Sequence, residues 1–252
     1  MQMITQLKIK KELIIMLNSI LLILAAVIPA VLLLVKVYRT DKLEPESPRL
    51  LAGLIIAGIL SAILAIFEES VLTYVLDMVL YNGSLLYKLI LFYLIVAGSE
   101  ESSKYLLMKW RTWKNPEFDC RFDGVIYAVF TSLGFALLEN IFYVFDQGFE
   151  TALIRAFTAI PGHACFGIFM GIFYAIAKEY DYMGNKSQSS LYRKLSVLVP
   201  ALIHGTYDFI ATMQNTASVI LFFIFIGAVF YIANKLINKM AQQDHYMTWH
   251  TF

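Results

Sequence analysis

Apolar residues run along this chain in blocks longer than the helices of a soluble core, separated by short polar segments. Blocks of spanning length fall at about 13 to 37, 49 to 67, 84 to 110, 122 to 145, 152 to 178, 192 to 213 and 216 to 240. A hydrocarbon layer about 30 Å thick takes about 20 helical residues to cross. The pattern therefore predicts seven membrane helices. Pro29 in the first and Pro200 in the sixth are expected kinks, their freed carbonyls satisfied by neighbouring helices. No internal repeat, low-complexity tract or long linker divides the sequence. The expectation is one membrane domain over residues 1–252, with its motif-bearing core at about 84–212.

Composition fixes the class. Of 252 residues, 59% are hydrophobic and 15% charged, and the mean hydropathy is +0.67. Those values point to an all-α, polytopic membrane helix bundle. A net charge of +1, with Lys and Arg confined to short loops, excludes a nucleic-acid partner. Cys120 and Cys165 form no CxxC or Cys/His motif, so no disulfide is expected. Lys8, Lys10 and Lys11 precede an apolar stretch from Leu13 to Val35 that exceeds a signal peptide's core and lacks a small-x-small cleavage site. It reads as a retained first helix.

Loop charges set an orientation. Lys36, Arg39, Lys42 and Arg49 mark the first loop, Lys109, Arg111, Lys114 and Arg121 the third, and Lys178, Lys186, Arg193 and Lys194 the fifth. Lys235 and Lys239 mark the C-terminal end. By the positive-inside rule these segments are cytoplasmic. A second loop with Glu68, Glu69 and Asp77, a fourth with Asp146, Glu150 and Arg155, and an uncharged sixth are then external. Seven spans put the N-terminus outside, against its three lysines; the four later segments outweigh them.

Against this apolar background the polar exceptions stand out. Gly98-Ser99-Glu100-Glu101-Ser102-Ser103-Lys104 interrupts the run from Leu85 to Trp110, and Glu139, His163, His204 and Asp208 lie in three further blocks. An acid in mid-membrane costs about 2.5 to 3.5 kcal/mol, so such residues face a polar interior and commonly serve a function. At about 1.5 Å of rise per residue, Glu101 and Glu100 lie roughly 12 to 14 Å from the nearest basic loop, His204 about 15, Asp208 about 21, His163 about 22 and Glu139 about 24. Four helices thus bring them to one buried site. Glu100 and Lys104 share a helix face, as do His204 and Asp208. Gly98, Gly134, Gly162 and Gly205 stand beside these groups, and small residues let helices approach closely.

Other polar groups take structural readings. Glu68 and Glu69 read as a solvated interfacial pair, Asp119 and Asp123 as interfacial, and Tyr127 and Tyr207 as packing residues. His245 and His250 belong to a polar tail without an assigned role.

The motifs carry a resemblance. Glu100-Glu101-x-x-Lys104, Phe122-Asp123-Gly124-Val125-Ile126-Tyr127-Ala128, Gly134-Phe135-Ala136-x-x-Glu139-Asn140, His163 and His204-Gly205-x-Tyr207-Asp208-Phe209 follow the order and wording of the PrsW family of intramembrane proteases. Asp41-Lys42-Leu43-Glu44-Pro45 resembles that family's Glu-Pro motif. The resemblance spans about residues 35 to 212. The family is similar to the CAAX prenyl endopeptidases and bacterial Abi proteins, and Glu139 stands where the prenyl endopeptidases carry a histidine. The resemblance implies a bacterial plasma-membrane enzyme that makes the site-1 cut in a single-span anti-sigma factor during stress signalling. Glu100, Glu101, His163 and His204 are its implied catalytic residues, with Lys104 and Asn140 in support.

In that reading Glu100 or Glu101 activates a water, with Glu100 the preferred base, and His204 stabilises the oxyanion or protonates the leaving amine. Asp208 orients His204. His163, His204 and either Glu139 or Asp208 supply three ligands for a catalytic zinc. No HExxH occurs, so a metal-free Glu/His mechanism stands beside the zinc one. The alternative class is a non-proteolytic proton or cation carrier, or a scaffold.

Overall fold

A computed structural model describes residues 2–213 and 215–247. It is all-helical apart from one isolated β-bridge, and its helices form seven rods among the described residues. These are α1 (Gln2–Tyr38), α2 (Pro48–Val79), a continuous rod of α3 (Leu85–Leu89), a π-helical stretch Ile90–Val96 and α4 (Ala97–Thr112), then α5 (Asp123–Gln147), the broken pair α6 (Phe149–Phe157) and α7 (Ala159–Tyr182), α8 (Lys186–Ala211) and α9 (Thr216–Gln242). Among the described residues, five segments are long and apolar enough to cross a membrane: Met16–Tyr38, Pro48–Val79, Asp123–Gln147, Phe149–Tyr182 and Thr216–Gln242. The α3–α4 rod and α8 fall short of that apolarity because they carry the charged site. The protein is a multi-pass membrane bundle.

Local sequence sets the boundaries. Ser47, with Pro48 behind it, caps α2 by accepting from Leu50 N–H, and Ser84 caps α3 through Tyr87 N–H. Asn185 caps α8, and Asn215 with Ser218 forms a reciprocal capping box on α9. Gly148 and Gly184, at φ of +86° and +74°, end α5 and α7 in a backbone region that glycine enters freely. Both α1 and α8 continue through Pro29 and Pro200.

One expected boundary is corrected. α2 does not stop near residue 67 but runs 32 residues, about 48 Å. Glu68, Glu69 and Asp77 are therefore helical, not loop residues, and Asp77 accepts a 2.6 Å hydrogen bond from the Tyr87 hydroxyl. The apolar pattern misled because acids end a hydropathy block without ending a helix. Arg155, expected in a loop, likewise lies on α6.

α5 and α7 form the centre, with α2, α1 and α8 packed around them and α9 against α7. The main core joins Val125, Ile126, Val129 and Leu133 of α5 to Ile160, Met170 and Tyr174 of α7. Large side chains along α1, α2 and α9, such as Leu32, Phe67 and Ile224, stay exposed, as lipid contact requires. At Gly58 and Gly134 the backbones of α2 and α5 touch, since a Cβ on either would strike the other helix's main chain. Gly205 likewise admits the ring of Tyr93 from the π-helical stretch, and the Tyr93 hydroxyl lies 3.0 Å from Thr206 Oγ1. Of the four glycines singled out from sequence, Gly134 and Gly205 sit at such approaches.

Candidate active site

The π-helical stretch leads directly into α4, whose first turn carries Glu100, with Glu101 next to it. π-bulges recur at functional sites because they re-aim the residues beyond them. Here they deliver both carboxylates to the bundle interior, where Glu101 and Lys104 have no exposed surface and Glu100 is 5% exposed.

Lys104 Nζ is the hub. It donates to Glu101 Oε1 at 2.7 Å and to Glu100 Oε2 at 3.0 Å, contacts His163 Nδ1 at 3.2 Å, and lies 3.9 Å above the Phe135 ring. An ammonium only donates, so His163 Nδ1 accepts and the ring proton belongs on Nε2. That nitrogen donates to Glu139 Oε2 at 2.8 Å. Arg155 Nη2 reaches the same Glu139 oxygen at 2.9 Å. Both nitrogens of His163 are thus engaged, and Ser132 Oγ fixes its backbone through a 2.7 Å bond to His163 O.

His204 is held differently. Its Nδ1 lies 3.0 Å from Glu101 Oε1 and 3.8 Å from Glu100 Oε2, and its Nε2 faces Asp208 Oδ2 at 3.4 Å. Phe166 stacks on the ring, centroids 4.6 Å apart. His163 and His204 meet edge to face at 5.4 Å. The donor atoms of Glu100, Glu101 and His204 all lie within 4.8 Å of one another. Among the described residues no such three-donor group contains His163, Glu139 or Asp208.

A cavity of about 450 Å³ opens against this cluster, lined by Glu69, Glu100, Glu139, His204 and Asp208 on a wall that also holds Phe135 and Tyr143. That size falls in the range of about 300 to 1,000 Å³ usual for ligand sites. Glu101, behind Glu100, is outside the lining, and its Oε2 is buried without a hydrogen-bond partner. Five carboxylates, counting Glu101, thus face two fixed cations, Lys104 and Arg155. Low-dielectric surroundings make such an excess costly unless a proton or a cation offsets it.

Sequence reasoning brought Glu100, Glu101, Lys104, Glu139, His163, His204 and Asp208 to one place, and here they meet. It placed Asn140 in support; Asn140 lies beside the site, donating to Ala26 O at 3.0 Å and accepting from Arg155 Nε at 2.8 Å. It missed Glu69 and Arg155. Glu69 lines the cavity instead of lying in an interfacial pair, while Glu68 accepts from Ser103 Oγ at 3.2 Å. Arg155 also stacks on Tyr143, at 4.0 Å. The signal for Glu69 was a charge inside a continuous helix; Arg155 lies on α6, just before the break at Thr158.

Comparison with known proteins identifies the family. The family profile described as PrsW family intramembrane metalloprotease matches residues 46–233. Protease PrsW of Bacillus subtilis (strain 168) is 30% identical over 191 residues, 76% of this chain and 83% of that one. Protease PrsW of Halalkalibacterium halodurans is 30% identical over 227 residues, 88% of this chain and 98% of the relative. Protease PrsW of Clostridioides difficile (strain 630) is 39% identical over 137 residues, covering 52% of this chain and 56% of its own length. No solved structure matches. By the profile match over residues 46–233 and these relatives, the chain belongs to the PrsW family of intramembrane proteases.

Proposed function

We propose that the protein hydrolyses a peptide bond in a single-span membrane protein of the anti-sigma class, as the site-1 cut of a stress cascade in the bacterial plasma membrane. The observation carrying this reading is the approach of Glu100, Glu101 and His204 within 4.8 Å at the wall of an intramembrane cavity. The basic loops and the C-terminus face the cytoplasm in this reading, following the positive-inside rule.

Glu100 borders the cavity, and Lys104 engages only its Oε2. The other oxygen is left to accept a proton from water, whose oxygen attacks the scissile carbonyl. His204, held on Glu101 and facing Asp208, stabilises the oxyanion and passes a proton to the leaving nitrogen. Glu101 and Lys104 hold the pair in register, and His163 fixes the Lys104 end. A substrate helix ties its scissile carbonyl into an intrahelical hydrogen bond, so that turn unwinds before attack.

The chemistry of the donors also fits a metal ion. Two carboxylates and an imidazole converge, Glu101 Oε2 has no partner, and Lys104 occupies one oxygen of each carboxylate, leaving the second. Glu100, Glu101 and His204 would hold a zinc-class ion, which when bound polarises a carbonyl and acidifies water.

The test is cleavage of a tagged single-span anti-sigma substrate in liposomes by wild type, Glu100→Gln, Glu101→Gln and His204→Ala, with metal content of each protein measured in parallel. Each substitution should cut turnover by about 100-fold or more. Undiminished cleavage by all three variants would sink the assignment.

A further inference from the structure

Far from the acid pair, the loop over residues 39–47, the loop over 113–122 and the tail over 243–247 meet at the end of the bundle that carries the basic loops. Arg121 N–H donates to His245 O at 3.1 Å, Met247 N–H to Asp119 O at 2.6 Å and Phe122 N–H to Asp244 Oδ1 at 2.7 Å. The Tyr246 hydroxyl closes the junction with a 3.0 Å bond to Glu44 Oε2.

This junction gathers carboxylates that no ion pair among the described residues reaches. Among the described residues, the ion pairs nearby run from Arg121 and His245 to Glu179 and from Lys186 to Asp181, and none reaches Asp41, Glu44, Asp119 or Asp244. The carboxylates of Glu44 and Asp119 and the thiol of Cys120 lie within 4.8 Å of one another. Asp41 supplies an independent sign: it is 8% exposed, its carboxylate lies in the field of Asp244 and Glu44, and its Oδ2 is buried with no hydrogen-bond partner. Asp244 Oδ2 is buried and unpartnered as well. Buried carboxylate oxygens left unpaired are expensive, and like charges brought together by a folded junction add to the cost.

We propose that this junction is a structural metal site, in which Glu44, Asp119 and Cys120 bind a zinc-class divalent ion and Asp41 and Asp244 offset its remaining charge. A thiolate among carboxylates selects a borderline-soft ion such as Zn²⁺ over Ca²⁺ or Mg²⁺, which take oxygen donors alone. Binding replaces the Cys120 S–H bond with a metal–sulfur bond, and the thiol proton leaves to solvent. The ion joins the loop after α1 to the loop before α5, and Asp244 brings the segment after α9 into its field. This site owes nothing to the acid pair in the membrane: that cluster has no cysteine, and Cys165 sits on α7 beside α1 and α9.

The absence of a thiol from the membrane cluster makes the test selective. Purified full-length protein in detergent is stripped of metal and titrated with Co²⁺, whose thiolate charge-transfer absorption in the near ultraviolet reports a cysteine ligand. The expected result is one band saturating at one ion per chain, displaced by Zn²⁺, retained in Cys165→Ala and Glu101→Gln, and lost in Cys120→Ser. Glu44→Gln, at an exposed position, gives a second variant safe for folding and should also lose the band. No band in wild type, or a band that survives Cys120→Ser, overturns the proposal.

Discussion

Lys104 Nζ lies 2.7 Å from Glu101 Oε1, and neither side chain has any exposed surface. A buried pair of this kind adds little net stability over an apolar pair, but removing one partner strands the other at a cost of about 3 to 5 kcal/mol. Lys104→Met should therefore destabilise the protein by about that amount in a detergent unfolding titration, because Glu100 and Glu101 both lose their cation. Lys104→Met combined with Glu101→Met should recover a large part of the loss and stay inactive. A double variant less stable than Lys104→Met would refute the account.

Arg155 acts at one remove. It reaches Glu139, which receives His163, which contacts Lys104, so the chain of polar contacts runs from α6 to the acid pair. Arg155→Met leaves Glu139 with His163 alone and frees the loosely packed α6 end. Outer partners of this kind typically contribute about 10- to 100-fold to a site's performance. We expect kcat to fall within that range while the unfolding midpoint moves little; Arg155→Lys should restore part of it, since a purely steric role would give no rescue by charge.

How far the sequence disclosed this arrangement follows from what sets each feature. Seven helices were legible because lipid demands unbroken apolar runs, and the acid pair was legible because charge violates that demand. Glu69 was not, because two adjacent acids near the end of an apolar block look the same whether the helix stops or continues about three more turns. Arg155 was hidden for a related reason: the break at Thr158 splits a span into α6 and α7, and a charge near a break reads as a loop. The three-donor group that the geometry brings together holds Glu100, Glu101 and His204 but not His163, whose two ring nitrogens are engaged by Lys104 and Glu139, a matter of rotamer and partner that residue type does not reveal. The junction around Cys120 depends on a tail that returns across the bundle, and no local spacing records that contact.

Gly58 and Gly134 hold α2 and α5 in backbone contact. α2 carries Glu69 and α5 carries Glu139, so the contact sets the width of the cavity between them. Gly58→Val should cost about 1 to 3 kcal/mol of stability through overpacking. It should also raise KM more than it lowers kcat, because the wall moves while the acid pair on α4 does not. Unchanged thermal unfolding in this variant would contradict the close approach.

Glu69 and Glu68 separate two roles within one helical turn. Glu69 lines the cavity; Glu68 is occupied by Ser103. An unwound substrate segment offers free N–H groups, and a charged acceptor for one of them is worth about 1.5 to 3 kcal/mol. Glu69→Ala should then lower kcat/KM by about 10- to 100-fold, since each 1.36 kcal/mol is tenfold. Glu68→Ala should leave it nearly unchanged. Equal effects from the two would place Glu69 outside the substrate path.

The cavity opens toward one end of α8. Its lining includes Ala211 and Thr212 at the end of α8, whereas Lys186 begins that helix at the opposite end, among the basic loops. With the basic loops in the cytoplasm, the mouth opens toward the exterior half of the membrane. Thr212 is exposed, and both native cysteines are buried, so an introduced thiol can be read against a low background. In intact cells Thr212→Cys should react with a membrane-impermeant maleimide, and Lys186→Cys should react only after the membrane is permeabilised. The reverse pattern would invert the orientation and move the cut to the cytoplasmic side. A Thr212→Cys label that also blocks cleavage would tie the mouth to the path of the substrate.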